Sequence, residues 1–86
     1  AARLLAYQAA WLADHGRPFV KEASQAKVFA TEACARIAAQ ALHIQGAYGY
    51  TMESPAQRYY RDTHVLEIGE GTNEVLRDMV ARELRL

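Results

Sequence analysis

Cysteine is almost missing from this chain. Cys34 stands alone, which excludes an intrachain disulfide and any Cys-rich zinc site and fits a reducing compartment. An excess of charge is missing too, since ten Lys and Arg residues balance ten Asp and Glu. That balance argues against a strongly basic nucleic-acid binder or an acidic tail. No apolar run reaches the roughly 18–20 residues of a membrane-spanning helix, and no signal-peptide pattern is visible. Proline occurs only at positions 18 and 55, so long stretches run without a helix breaker. An initiator Met is also lacking, for the chain begins Ala1-Ala2, and a fragment or processed product is the expectation.

What is present is the composition of a globular chain. Hydrophobic residues make up 51% and charged residues 23% of the 86 positions, which speaks against wholesale disorder. A chain this short buries only about 60% of the surface its unfolded form exposes. Seventeen of the residues are alanine. Alanines permit close packing but contribute little apolar area each, so the helices are expected to need partners.

The pattern predicts helices throughout. From Ala1 to His15, Leu4, Leu5, Tyr7, Trp11 and Leu12 recur at helical spacing. Gly16 is a natural stop, and Pro18 suits the first turn of a new helix. That second helix is predicted from about Pro18 to Ile44, with one stripe formed by Ala26, Ala30, Ala33, Ile37, Ala41 and Ile44. At 1.5 Å per residue it would be roughly 40 Å long, a length that belongs to a bundle. Gly46-Ala47-Tyr48-Gly49-Tyr50 breaks it. Ser54, Pro55 and Gln57 read as a capping box that opens a short helix to about Asp62. Thr63 to Gly71 reads as a connection. Thr72 is the expected N-cap of a last helix to about Arg85, with Val75, Leu76, Met79, Val80 and Leu84 as its apolar stripe. The expected class is all-α, a segment of an antiparallel helical bundle without repeats or linkers.

Two places could carry chemistry. Glu70 sits between Gly69 and Gly71, just before a helix. Glycine neighbours let a ligand approach the backbone, and a carboxylate there could act as a general base once a ligand buries it. A solvated glutamate favoured by the helix dipole is the plainer alternative. The turn Gly46-Ala47-Tyr48-Gly49-Tyr50 could offer backbone N–H groups to a phosphate, or be an ordinary helix C-terminus. It is neither a P-loop nor a dinucleotide fingerprint. His15, His43 and His64 do not cluster, so no metal site is expected. Cys34 is expected to pack and not to react. Tyr59-Tyr60-Arg61 reads as core aromatics beside a surface Arg, because no wider basic patch accompanies it.

Read in order, these residues resemble the C-terminal helical domain of the acyl-CoA dehydrogenases. Gly46-Ala47-Tyr48-Gly49-Tyr50, Arg61-Asp62, Glu70-Gly71-Thr72-Asn73-Glu74 and Val80-Ala81-Arg82 carry the resemblance. Ala2-Arg3-Leu4-Leu5, Ala10-Trp11, Lys21-Glu22-Ala23 and Ala26-Lys27 extend it upstream, so that it covers essentially residues 1–86 as an incomplete domain. The resemblance implies an FAD-dependent enzyme that oxidises an acyl-CoA thioester to the trans-2-enoyl-CoA. It implies Glu70 as the base that removes the α proton, and the Glu70 N–H as a donor to the thioester carbonyl. It places His43, Gly46, Ala47, Thr72 and Glu74 at FAD, the glycine turn approaching the FAD of a neighbouring subunit. His43 stands where the family usually has Gln, and Ala47 where it has a second Gly. Gly69 and Gly71 fall on the substrate side. Gly69 stands where straight-chain enzymes often have Tyr, and the extra room implies a branched or bulky acyl group.

The same resemblance implies an electron-transfer flavoprotein as acceptor, a homotetrameric parent, and a bacterial cytoplasmic or mitochondrial-matrix location. It also implies that domains beyond these 86 residues complete the flavin pocket, so the isolated chain is expected to be inactive. The competing expectation is a non-enzymatic helical module that self-associates or binds a partner through apolar faces.

Overall fold

Five helices make up the fold in a computed structural model that describes residues 1–85. They are α1 (Ala2–Asp14), α2 (Val20–Gln45), α3 (Ala47–Tyr50), α4 (Pro55–Leu66) and α5 (Asn73–Glu83). No strand is present among the described residues, in line with the all-α expectation. The long helix α2 is the spine. α1, α4 and α5 each pack against it and, among the described residues, not against one another. The molecule is accordingly long and thin, 47 × 24 × 17 Å.

Local chemistry sets the helix ends. Gly16 closes α1 with φ +64°. Its N–H donates to the Ala13 carbonyl and the Arg17 N–H reaches back to Leu12 at 2.9 Å, the paired bonds of a Schellman cap. The next helix starts at Val20, two residues after the predicted start, because Phe19 is the N-cap with φ −139° and leaves Pro18 outside. At the far end Gly46 adopts φ +64°, ψ −141°, a conformation essentially reserved for glycine. The long helix breaks here as expected, and the residues that follow form a single helical turn, α3. Gly49 makes this possible. A Cβ there would lie 2.6 Å from the Leu42 carbonyl oxygen and 2.8 Å from the Gln45 Cβ.

α4 begins as predicted, with Pro55 in its first turn and the Ser54 hydroxyl accepting from the Ala56 N–H. The expected reciprocal bond from Gln57 is replaced, the Ser54 N–H donating to the Thr51 carbonyl at 3.3 Å. The Ser54 hydroxyl donates its own proton to Gln45 Oε1 at 2.5 Å, pinning α4 to the end of α2. α4 also runs on to Leu66, four residues past the predicted end. Thr63 is buried and its hydroxyl donates to the Tyr60 carbonyl, so a residue read as loop extends the helix.

The core is small. Ala26, Ala38, Ala56 and Leu76 are its buried apolar residues. Of the predicted α2 stripe, Ala26 is buried and Ala30 and Ala33 half-buried, while Ala41 is exposed and Ile37 and Ile44 are 65% and 84% exposed. α4 packs along the Ala38 line, and nothing in the described chain covers the isoleucines. On α1 the covered side is Ala2, Leu5, Ala9 and Leu12, all half-buried. Leu4, Tyr7 and Trp11 form a second stripe that faces outward. The α5 stripe is likewise split: Leu76 is buried, Met79 and Val80 are half-buried, and Val75 and Leu84 are exposed.

Candidate functional site

The loop from α4 to α5 carries Glu70. The chain leaves α4 in tight turns, the N–H groups of Ile68 and Gly69 both donating to the Val65 carbonyl at 3.1 and 2.8 Å. It enters α5 through Asn73, whose N–H donates to the Glu67 carbonyl at 3.0 Å and closes the loop. Thr72 is the N-cap as predicted, its hydroxyl oxygen accepting from the Val75 N–H at 3.2 Å. Within this frame Glu70 has φ +60° and Gly71 φ +97°. A left-handed non-glycine residue costs about 1–2 kcal/mol, a cost that persists where the surroundings enforce it. Glu70 is exposed, and its N–H donates to no acceptor among the described residues. Gly69 has no unusual φ, and a Cβ there would meet only the Val65 carbonyl at 3.3 Å. Backbone geometry alone does not demand glycine at 69.

A partly buried polar network fastens this loop to α2. The Lys27 ammonium donates to the Gly71 carbonyl at 3.0 Å and to Asn73 Oδ1 at 2.8 Å. Asn73 is 2% exposed, and its amide donates to Thr31 Oγ1 at 3.0 Å and to Glu32 Oε2 at 3.3 Å. A cation on one side and a carboxylate on the other fix which way the amide points. Thr31 donates onward to the Lys27 carbonyl at 2.8 Å. Arg77 of α5 donates from Nη2 to Glu32 Oε1 at 2.8 Å, and its Nη1 lies 2.7 Å from Oε2 in the same ion pair. The Arg77 hydrogen bond holds the Glu32 carboxyl below the usual carboxylate range; partial burial opposes this and the Asn73 amide adds to it. The same bond raises Arg77 further above its ordinary value. No buried side-chain N or O is left without a partner among the described residues.

The expected site residues fall into two groups. Glu70 with Gly69, Gly71, Thr72 and Glu74 lies together on this loop and the first turn of α5. His43, Gly46 and Ala47 lie at the other end of α2. Lys27, which touches the Glu70 loop, precedes His43 by 16 residues of continuous helix, about 24 Å along the axis. His43 is exposed and borders a groove of about 680 Å³ with Leu42, Tyr50, Met52, Gln57 and Tyr60. A second groove, about 640 Å³, runs between α2 and α4 past Ile37, Ala41, Tyr59 and Leu66. Glu70 borders neither of them. Among the described residues no three His, Cys, Asp or Glu side chains converge on a possible metal, and no helix is long and apolar enough to cross a membrane.

The network residues escaped the sequence reading. Lys27 and Asn73 contributed only to the resemblance, and Thr31, Glu32 and Arg77 carried no signal. A polar pair at α2 positions 31 and 32, inside an alanine-rich helix, was the one available hint.

With this geometry in place, comparison with known proteins gives a consistent answer. The family model for the acyl-CoA dehydrogenase C-terminal domain matches residues 1–85. The human mitochondrial short-chain specific acyl-CoA dehydrogenase is 49% identical over 83 residues, 96% of this chain and 20% of that protein. Benzylmalonyl-CoA dehydrogenase of Aromatoleum aromaticum is also 49% identical, over 98% of this chain and 22% of its own length. The structure of butyryl-CoA dehydrogenase from Megasphaera elsdenii superposes with a TM-score of 0.95 at 39% identity, covering 99% of this chain and 22% of that one. The chain thus spans about a fifth of the length of the relatives it matches.

Proposed function

This chain belongs to the acyl-CoA dehydrogenase family, and on that premise we propose that residues 1–86 are the catalytic-base segment of an FAD-dependent acyl-CoA dehydrogenase. The observation that carries the reading is the state of Glu70. It is exposed, left-handed and flanked by glycines on a loop fastened to α2, and its N–H has no acceptor among the described residues. In this reading the Glu70 carboxylate removes the α proton of the acyl thioester. Its N–H donates to the thioester carbonyl oxygen, where negative charge develops as that proton leaves. Loss of the α proton and of the Cβ hydrogen with its electron pair leaves the trans-2 double bond. Bound FAD supplies the hydride acceptor. An α proton is far too weakly acidic for a carboxylate in water, so walls that exclude water must close over Glu70. They come from parts of the enzyme beyond these residues.

In this reading the Thr72 hydroxyl and the N-terminus of α5 face a polar part of the flavin nucleotide. The Thr72 oxygen caps α5 while its proton donates to nothing among the described residues. The exposed Glu74 and the positive end of the α5 dipole stand beside it. His43, Gly46 and Ala47 are too far along α2 to serve the same end of one cofactor. The separation of about 24 Å is compatible with their meeting the FAD of a second subunit, and the family resemblance implies a homotetramer. An electron-transfer flavoprotein would then reoxidise the enzyme, in a bacterial cytoplasm or a mitochondrial matrix.

Two relatives of equal identity are named for a short-chain and a benzylmalonyl substrate, so overall similarity does not select the acyl group. The lack of a side chain at Gly69, where straight-chain enzymes often carry Tyr, favours a branched or bulky one. Ratios of kcat/KM for branched against straight acyl-CoAs check this: at least about tenfold favouring branched is expected, the scale a pocket filled or left empty can supply. A strong preference for straight chains would refute it.

The exposed stripes of α1 and α2 also permit the alternative, a self-associating or partner-binding module without enzymatic activity. Flavin content and turnover of the full-length polypeptide separate the two. In the enzyme reading, Glu70→Gln lowers turnover about 10²–10⁴-fold with flavin retained. Undiminished turnover would place the base elsewhere.

A further inference from the structure

Lys27 makes the longest-range ties to the Glu70 loop, spanning 44 residues to Gly71 and 46 to Asn73. The proposed reaction gives it no part. A strut between α2 and α5 would need only the bond to Asn73, the first residue of α5. The second bond goes instead to the carbonyl of Gly71, inside the loop and one residue beyond Glu70. That carbonyl fixes the plane of the peptide joining Gly71 to Thr72. Gly71 would otherwise be the freest hinge of the loop, since glycine takes either sign of φ readily. The remaining members of the network aim the ammonium. Asn73 is held from behind by Thr31 and Glu32, and Glu32 by Arg77, so two acceptors converge on Lys27 in a fixed geometry.

We infer that Lys27 is a positioning residue for Glu70: clamping the Gly71 carbonyl and Asn73 together, its ammonium keeps the Glu70 backbone left-handed and its carboxylate aimed at the substrate α carbon. The inference rests on the reading of Glu70 as the base. Without the clamp Gly71 swings, Glu70 relaxes to an ordinary φ, and the carboxylate moves. A displacement of about 1 Å at a reacting group costs on the order of 10²-fold in rate.

The test is steady-state kinetics on the full-length flavoenzyme that carries this chain, with turnover expressed per bound flavin. Four forms are compared: wild type, Lys27→Met, Lys27→Arg and Glu70→Gln. Lys27→Met is expected to lower kcat per flavin about 10–100-fold with KM within about threefold of wild type. Lys27→Arg, whose guanidinium can donate to both oxygens, is expected to recover most of the loss. Wild-type kcat per flavin in Lys27→Met, even with a lower melting temperature or less flavin, would make Lys27 a plain strut and overturn the inference. Should the Met variant fail to fold, Lys27→Gln keeps one donor and carries the same expectation and the same refutation. Turnover surviving in Glu70→Gln would instead sink the reading of the base itself, so the two failures are distinct.

Discussion

At the Lys27 end of α2, side chains hold the adjoining loop; at the Gly46 end, the lack of side chains does. The Glu70 loop is fixed by an ammonium, an amide, a hydroxyl and an ion pair, each with named partners. The glycine turn is fixed because Gly46 takes a conformation other residues avoid and Gly49 admits α3 against the Leu42 carbonyl. The side-chain bond that spans that turn runs from Ser54 to Gln45, nine residues apart. Hydrogen-bond networks specify direction, which a proton-abstracting carboxylate needs. Close backbone packing specifies shape, which suits a surface that another subunit or its cofactor covers.

That contrast can be broken from either side. The largest expected effect is on chemistry, the loss of turnover in Glu70→Gln, and it should have no counterpart at the glycine turn. Next is Gly49→Ala. Its methyl would meet a backbone oxygen at 2.6 Å, so α3 must shift, at a cost of about 1–3 kcal/mol by thermal or denaturant unfolding. Amide exchange over residues 67–73 should be unchanged in that variant, since the network lies about 24 Å away. Protection lost at both ends would show that the two regions are one unit. The smallest effect is a pH dependence confined to the Lys27 end. The Glu32 carboxyl is depressed in the folded state, first by the Arg77 hydrogen bond. Its stabilising contribution is therefore complete above the ordinary carboxylate pKa, about 4, and is lost as the pH falls through the lower folded value. Unfolding followed from neutral to acid pH should show a shallower decline in Glu32→Gln than in wild type. Parallel declines would mean that the pair contributes nothing to stability.

Much of this was legible in the sequence, because local signals decide local structure. Gly16, Ser54-Pro55 and Thr72 each marked a helix boundary through one residue's own chemistry. Thr63 was read as the start of a connection, yet it is buried and its hydroxyl bonds the Tyr60 carbonyl within α4, which runs past it. The α2 stripe was a correct helical period but a poor guide to burial, since Ile37 and Ile44 have no cover within the chain. Glu70 and the glycine turn were visible as motifs. Their distance from each other was not, because it depends on where along the predicted long helix the Glu70 loop docks, which the bonds from Lys27 show. The Lys27–Asn73 network was invisible because it exists only once α5 is laid across α2.

The central claim is that Glu70 itself takes the α proton, and half of the reaction suffices to test it. An acyl-CoA with a quaternary Cβ, such as 3,3-dimethylbutyryl-CoA, has α protons and no β hydrogen to give up as hydride. Incubated in D2O with the full-length enzyme, it should gain deuterium at Cα, read by mass spectrometry, while Glu70→Gln should exchange no faster than buffer. Equal exchange by the two enzymes would contradict the account and move the base to another residue.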